Sequence, residues 1–341
     1  MSIINNRKQR IRSSANFRTK AFHNLVDEPM MATGSGFKML RDQVLGREQR
    51  YPPAPLPIMR PTARDYATPP ATGLRVTWLG HSSLIVELGN IKILTDPVWA
   101  ERASPVAFAG PKRFHPPPIA LNDLPQIDLV LLSHDHYDHL DEAVIRWLAR
   151  KSMPFVAGLG MGDYLEAWGV ASRRIYELDW WEELDMPELG VQIASVPAQH
   201  FSGRSLVRNQ TLWSSWVVSN SDKRIFVGCD SGWFDGFAQI GARYAPFDFA
   251  SIEMAQYNES WRSVHMFPEQ AIDACRALGA KTMLPVHWGT FCLSFHAWDE
   301  PVERLLAAHD GDFQILTPNI GQLIEPTAKN VLNPWWRSVR R

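Results

Sequence analysis

Cysteine is scarce. The 341 residues hold Cys229, Cys275 and Cys292 and no others, too few and too scattered for a disulfide framework or a Cys-rich zinc module. A reducing compartment is therefore expected, with the chain cytoplasmic or peripheral at a membrane surface, and any metal must be held by imidazole and carboxylate. Long apolar runs are missing too. No stretch approaches the roughly 20 residues of a membrane span, and the opening MSIINNRKQRIRSS has charge without the apolar segment of a secretory signal. Charge of one sign is also lacking. The net value of −1 names no partner. What remains is 45% hydrophobic and 21% charged, the balance of a soluble globular protein with a sizeable core.

Residues 1 to about 70 read as an extended arm. Arg7, Lys8, Arg10, Arg12, Arg18 and Lys20 precede the first acid, Asp27, and the segment closes in YPPAPLPIMRP. Attraction to anionic lipid or nucleic acid, an organellar presequence and a basic tail draped on the core are the readings. The draped tail is the expectation, with no nucleic-acid partner. From 71 onward short apolar strands follow, LRVTWLG, SSLIVELGN and IKILTDP, with Gly89-Asn90 as a hairpin turn. IDLVLLS (127–133) is a buried-strand run. DEAVIRWLARK then puts Val144, Ile145 and Leu148 on one helical face behind an Asp141 N-cap. Further strands are expected at 191–196, 214–219, 224–228, 281–286 and 313–316, and helices at 161–169, 234–243, 268–278 and 299–308. The pattern is α/β, with sheets packed face to face and helices outside. One domain is expected over 71–328, followed by a Trp/Arg-rich tail, 329–341.

Between the 127–133 strand and the following helix stands His134-Asp135-His136-Tyr137-Asp138-His139. A tight loop leaving a buried strand can turn His134 and His136 onto one ion and Asp138 and His139 toward a neighbouring point. Imidazole and carboxylate suit Zn, Fe or Mn, and the absence of a nearby Cys disfavours a closed structural zinc site. Three more candidate ligands follow predicted strands: His200 after VQIASVPAQ, Asp230 after RIFVGC, His287 after KTMLPV. Asp230 could bridge two ions through its two oxygens, and two divalent ions are expected. Asp96 and His81 are candidates to orient the ligands. Lys112 and Arg113 are candidates to meet a phosphate, and Cys229 reads as a buried strand residue. Asp138 and His265 are the candidate catalytic residues, the first orienting the nucleophile and the second aiding charge stabilisation or leaving-group departure.

The motif His134, His136, Asp138, His139, with His200, Asp230 and His287 at long range, resembles the metallo-β-lactamase superfamily, which implies a four-layer αββα sandwich over residues 73 to about 325. The resemblance implies one ion on His134, His136 and His200, a second on Asp138, His139 and His287, and Asp230 between them. TWLGHSSLIVE, LTDPVWAERASPVAFAGPKRF, LSHDHYDHLD, ELDWWEE and PVHWGTF are similar to the N-acylphosphatidylethanolamine-hydrolysing phospholipase D family. That implies phosphodiester hydrolysis of an N-acylated phospholipid to an N-acylethanolamine and phosphatidic acid. The family has Gln where Ala107 stands, which puts its phosphate contact here in doubt. A lactonase or cyclic phosphodiesterase on a small polar substrate is the alternative, and a non-catalytic binding protein a further one. The di-iron redox members carry Glu at the position of His136. A phospholipid or other phosphodiester is the expected partner, with peripheral membrane contact and homodimerisation left open. Of the 14 Trp, most are read as core, and Trp335-Trp336 as either core or interfacial anchor.

Overall fold

The computed structural model describes residues 3–32, 34–204, 207–326 and 330–340; the expected boundary at 328–329 lies outside them. Helix α1 (Ile3–Ser13), the hairpin β1 (Phe17–Arg18) and β2 (Ala21–Phe22), and α2 (Ser35–Leu45) come first. The antiparallel run β3 (Leu74–Gly80), β4 (Ser83–Leu88), β5 (Ile91–Thr95) then leads into β6 (Leu129–Leu132), β7 (Phe155–Gly158) and β8 (Ile175–Leu178), which pair in parallel beyond β5. Helices α3 (Glu142–Leu148) and α4 (Gly162–Ala167) lie between these strands in sequence. The second half repeats the plan. Strands β9 (Glu183–Met186), β10 (Val191–Val196), β11 (Ser215–Ser219) and β12 (Arg224–Val227) are antiparallel. Helix α5 (Gly236–Tyr244), β13 (Phe249–Glu253), α6 (Pro268–Leu278), β14 (Thr282–Val286), α7 (Glu300–Ala308) and β15 (Gln314–Ile315) then extend the sheet in parallel. Strand β16 (Leu323–Ile324) returns to pair with β3, so each sheet has seven strands.

Side-chain alternation explains the layering. Along β4, Leu84, Val86 and Leu88 enter the core between the sheets, while Ile85 enters a second core beneath α3 and α4. On β6 the same split sends Leu129 and Leu131 one way, Val130 and Leu132 the other. Strands covered on both faces read as unbroken apolar runs, which is why IDLVLLS shows no period of two. Asp141 caps α3, accepting from the amides of Ala143 and Val144. This satisfies donors the helix leaves unpaired and fixes where the chain leaves the HDHYDH loop. The fold is the four-layer αββα sandwich. Trp335 and Trp336 belong to its core, packed at 5.4 and 5.5 Å from the Trp288 ring and 5% and 0% exposed, so the anchor reading does not hold for them.

The arm is not extended. Arg7 is buried among acids of the domain, 2.7 Å from Asp163, 3.0 Å from Glu166 and paired with Glu177, while Arg10 pairs with Glu182. The hydrogen bond from Arg7 holds the Glu166 carboxyl below its usual range against a small opposing effect of burial. A lowered carboxyl pKa contributes stability above the unfolded value, and that contribution disappears as pH falls through the folded one. Arg7→Ala leaves buried Glu177 without its cation. It is expected to lower stability by about 1–3 kcal/mol at neutral pH, with the gap to the parent narrowing below about pH 4 in urea titrations at both pH values. An equal loss at both would remove the ion pairs from the explanation.

Candidate metal centre

Every predicted ligand lies just beyond the C-terminal end of a strand, at one rim of the sandwich. The loop after β6 brings His134 Nε2 to 2.9 Å from His136 Nδ1, and His200 Nε2 lies 3.3 Å from that same Nδ1. Asp138 Oδ2 stands 3.4 Å from His287 Nε2 and 3.6 Å from His139 Nε2. Asp230 Oδ2 sits between the two groups, 3.0 Å from His287 Nε2, 3.1 Å from His139 Nε2 and 3.9 Å from both His134 Nε2 and His200 Nε2. Donor atoms about 2.0–2.1 Å from a tetrahedral ion stand roughly 3.3 Å apart, and these spacings of 2.9 to 3.9 Å bracket that value.

The far side of each ring shows why these atoms face inward. His200 Nδ1 donates to the Val264 carbonyl at 2.9 Å, His139 Nδ1 to Asp96 Oδ2 at 2.8 Å, and His134 Nδ1 to Ser133 Oγ at 2.9 Å. Asp96 in turn accepts from the Ser133 amide at 2.7 Å and from its hydroxyl. Each bond selects the tautomer that points a lone pair at the site. His81, Asp96 and His287 hold left-handed backbone angles, φ 52, 37 and 71°, at a cost of about 1–3 kcal/mol each. The fold holds them there: the His81 amide donates to Thr290 Oγ1 at 2.7 Å and the His287 amide to the His81 carbonyl at 3.1 Å. Gly80 makes room for this turn. A Cβ there would lie 2.8 Å from both the His115 ring and Thr290 Oγ1.

Electrostatics point the same way. Burial keeps His134, His136 and His200 below the usual imidazole range, so they are neutral donors. Burial opposes charge on Asp138 and Asp230 as well, yet the neighbouring charge of His139 holds both carboxyls well below their usual range, with further lowering from His287. The same carboxylates raise His139 and His287, the latter to about 10, against burial. Protons on those two rings thus balance two buried anions, a charge that a divalent cation supplies on displacing them. Among the described residues, His139 Nε2 and Asp230 Oδ1 are buried without a hydrogen-bond partner. The donor set fits divalent metal.

The remaining predicted residues divide. His81 Nε2 lies 2.8 Å from Asp138 Oδ2 with its ring 4.1 Å from that of His287, and burial followed by the charge of His287 brings it down to about 3. His265 stacks on His287 at 5.2 Å and faces Glu253 Oε1 across 3.6 Å. Arg113 does not reach toward a ligand. It is 8% exposed and donates to the carbonyls of Val98 at 2.7 Å and His115 at 3.3 Å, because its fork ties the 98–115 loop together. Lys112 pairs with Glu101 at 2.9 Å on the surface. Cys229 is buried with its sulfur 3.6 Å from His134 Nδ1, the ring face turned from the other ligands. Sequence reasoning missed Glu253, 1% exposed at the end of β13 between His265 and His287. The apolar run before it, FASI, was the available signal.

Sandwich and donor set together define a metal-dependent hydrolase. Residues 92–288 match the β-lactamase superfamily domain. An uncharacterised protein of Mycobacterium tuberculosis is 42% identical over 331 residues, 95% of this chain and 88% of that one. The N-acyl-phosphatidylethanolamine-hydrolysing phospholipase D 1 of Caenorhabditis elegans is 35% identical over 287 residues, 79% of this chain and 80% of its own. A metallo hydrolase of the archaeon Ignicoccus hospitalis, 22% identical, shares the fold with a TM-score of 0.57 over 74% of this chain and 97% of its own. The chain belongs to the metallo-β-lactamase superfamily and, within it, to the N-acylphosphatidylethanolamine-hydrolysing phospholipase D-like family. Among the described residues no helix is long and apolar enough to cross a membrane.

Proposed function

We propose that the protein holds two divalent ions, zinc in the first instance, and hydrolyses a phosphodiester of an N-acylated phospholipid, releasing an N-acylethanolamine and phosphatidic acid. The observation that carries this reading is the 35% identity to the Caenorhabditis elegans phospholipase D over 80% of that enzyme. Divalent ions in such a site lower the pKa of water and polarise the phosphoryl oxygen. The chain's own residues do the rest. His134, His136 and His200 would hold one ion and Asp138, His139 and His287 the other, with Asp230 placed to serve both. Asp138, fixed by His81, orients the attacking water. As the water's oxygen bonds to phosphorus its released proton passes to solvent, the bond from phosphorus to the alcohol oxygen breaks, and the alcohol leaves with a proton from His265, whose ring is partly exposed beside the ligands and regains that proton from solvent.

A large amphipathic substrate suits the surroundings. A cavity of about 640 Å³, which reaches the HDHYDH loop at Tyr137 but is lined by none of the seven ligands, carries Arg102, Arg146, Arg204 and Trp168. Val106 and Phe108, the latter 84% exposed, stand on the adjoining 102–112 hairpin, where apolar tips favour contact with a lipid surface. Purified protein is expected to release ethanolamide from N-acylphosphatidylethanolamine vesicles, to lose at least 90% of that rate on chelation and to regain it with zinc or manganese. Turnover of lactones or cyclic phosphodiesters with none of the lipid would overturn the substrate, and turnover unaffected by thorough metal removal would overturn the chemistry.

A further inference from the structure

His200 is held from outside the two large sheets. It lies four residues beyond Val196, in the connection that runs to β11. The Gly232 amide donates to the preceding Gln199 carbonyl at 2.8 Å, while the amide and carbonyl of His200 itself lie outside the strand ladders and call for other partners. Residues from the N-terminal arm supply the substitute. Asn24 Oδ1 accepts from the His200 amide at 3.1 Å, and Asn24 Nδ2 donates to the His200 carbonyl at 2.8 Å. One side-chain amide therefore closes both backbone groups of the ligand, as a neighbouring strand would. The same Oδ1 accepts from Trp213 Nε1 at 3.0 Å, and Trp213 is fully buried, which anchors the amide in one orientation.

The arm is secured on both sides of Asn24. Before it, the Phe22 amide donates to the Asn209 carbonyl at 2.8 Å, and Phe22 is 0% exposed. After it, Gln199 Nε2 donates to the Val26 carbonyl at 2.8 Å and Ser263 Oγ to the Pro29 carbonyl at 2.8 Å. Gln199 and Ser263 are near neighbours in sequence of His200 and of His265. The geometry points to a role for residues 22–29 as a strap of the metal centre, in which Asn24 is a positioning residue that holds His200 in register with His134 and His136. A ligand whose peptide can shift by a few tenths of an ångström pays for ordering on each binding event, and loss of such a supporting contact typically costs about 10–100-fold in metal affinity.

The inference rests on the assignment of His200 as a ligand and is independent of the substrate. Its test uses the full-length protein, Zn2+ and a competing chelator, with Asn16→Ala as a control: Asn16 lies in the same arm and bonds Asp179 Oδ1 at 2.9 Å, away from His200. Asn24→Ala is expected to weaken the affinity of one zinc equivalent by about 10–100-fold, while the melting temperature of its metal-free form matches that of metal-free Asn16→Ala. Asn24→Asp keeps the acceptor for the His200 and Trp213 donors but turns an oxygen on the His200 carbonyl, and is expected to lose affinity in the same direction. It serves if the alanine variant is insoluble. Zinc affinity equal to the parent's in a folded Asn24 variant overturns the inference, as does an equal loss in Asn16→Ala. A parent that takes up a single equivalent overturns the two-ion reading, and the Asn24 comparison is then made on that equivalent.

Discussion

Asp230→Asn is expected to lower kcat/KM by about 10³-fold or more with the fold retained. The substitution preserves size and one oxygen, so packing around the side chain changes little. What it removes is the negative charge that lies within 3.0–3.1 Å of His287 and His139 and faces the Nε2 atoms of His134 and His200 at 3.9 Å. A bound metal provides several kcal/mol of charge stabilisation in the transition state, and each 1.4 kcal/mol or so is a factor of ten in rate. The measurement is kcat/KM on a phosphodiester beside zinc content and circular dichroism. Asp138→Asn is expected to follow it, and His287→Ala likewise. Near-parental turnover in Asp230→Asn with full zinc content would remove the residue from the shared position.

Trp288→Ala is expected to give the largest loss of stability. Trp288 is 1% exposed, stacked at 5.4 Å on both Trp78 and Trp335, and edge-on to Trp336 at 5.5 Å. Its indole N–H bonds the Pro285 carbonyl at 3.1 Å. Removing a buried Trp from a packed interior costs about 3–5 kcal/mol, which for a domain of this size lowers Tm by roughly 10 °C. Because Trp288 follows His287 directly, the melt is compared in metal-free protein, where packing is separated from binding. A shift under a few degrees would mean that the tryptophan cluster repacks around the hole.

The interior of the sandwich was legible because apolar pattern and fold coincide there. VQIASV is β10 and residues 268–278 are α6, both as read from sequence, and the candidate ligands were legible because each stands beyond a recognisable strand. Strand β13 escaped, although it lies between β12 and β14 in the centre of its sheet. Five residues with Ala and Ser among them carry little β signal, and burial on both faces comes from neighbours that the string of letters does not show. Glu253 escaped with it.

The arm failed to read for a different reason. Helix α1 sets Ile11 against the cluster around Phe22 and Trp213, and its ion pairs run from Arg7 and Arg10 to Asp163, Glu166, Glu177 and Glu182, more than 150 residues away in the chain. Charge counting sees six basic residues and expects a basic tail draped on the core, without naming the groups it lies against. The tertiary structure provides the acids from the protein itself.

Sequence alone was sufficient for the fold class and for the imidazole and carboxylate character of the cluster that the fold assembles, since local pattern sets strand ends and residue type sets donor character. Only the tertiary structure decided which lone pair each ring presents, that Arg113 serves the 98–115 loop, and that Asn24 holds His200. The bonds of His139 to Asp96, of His200 to Val264 and of His200 to Asn24 join groups 43, 64 and 176 positions apart, and directional bonds of that span leave no periodic trace in the sequence.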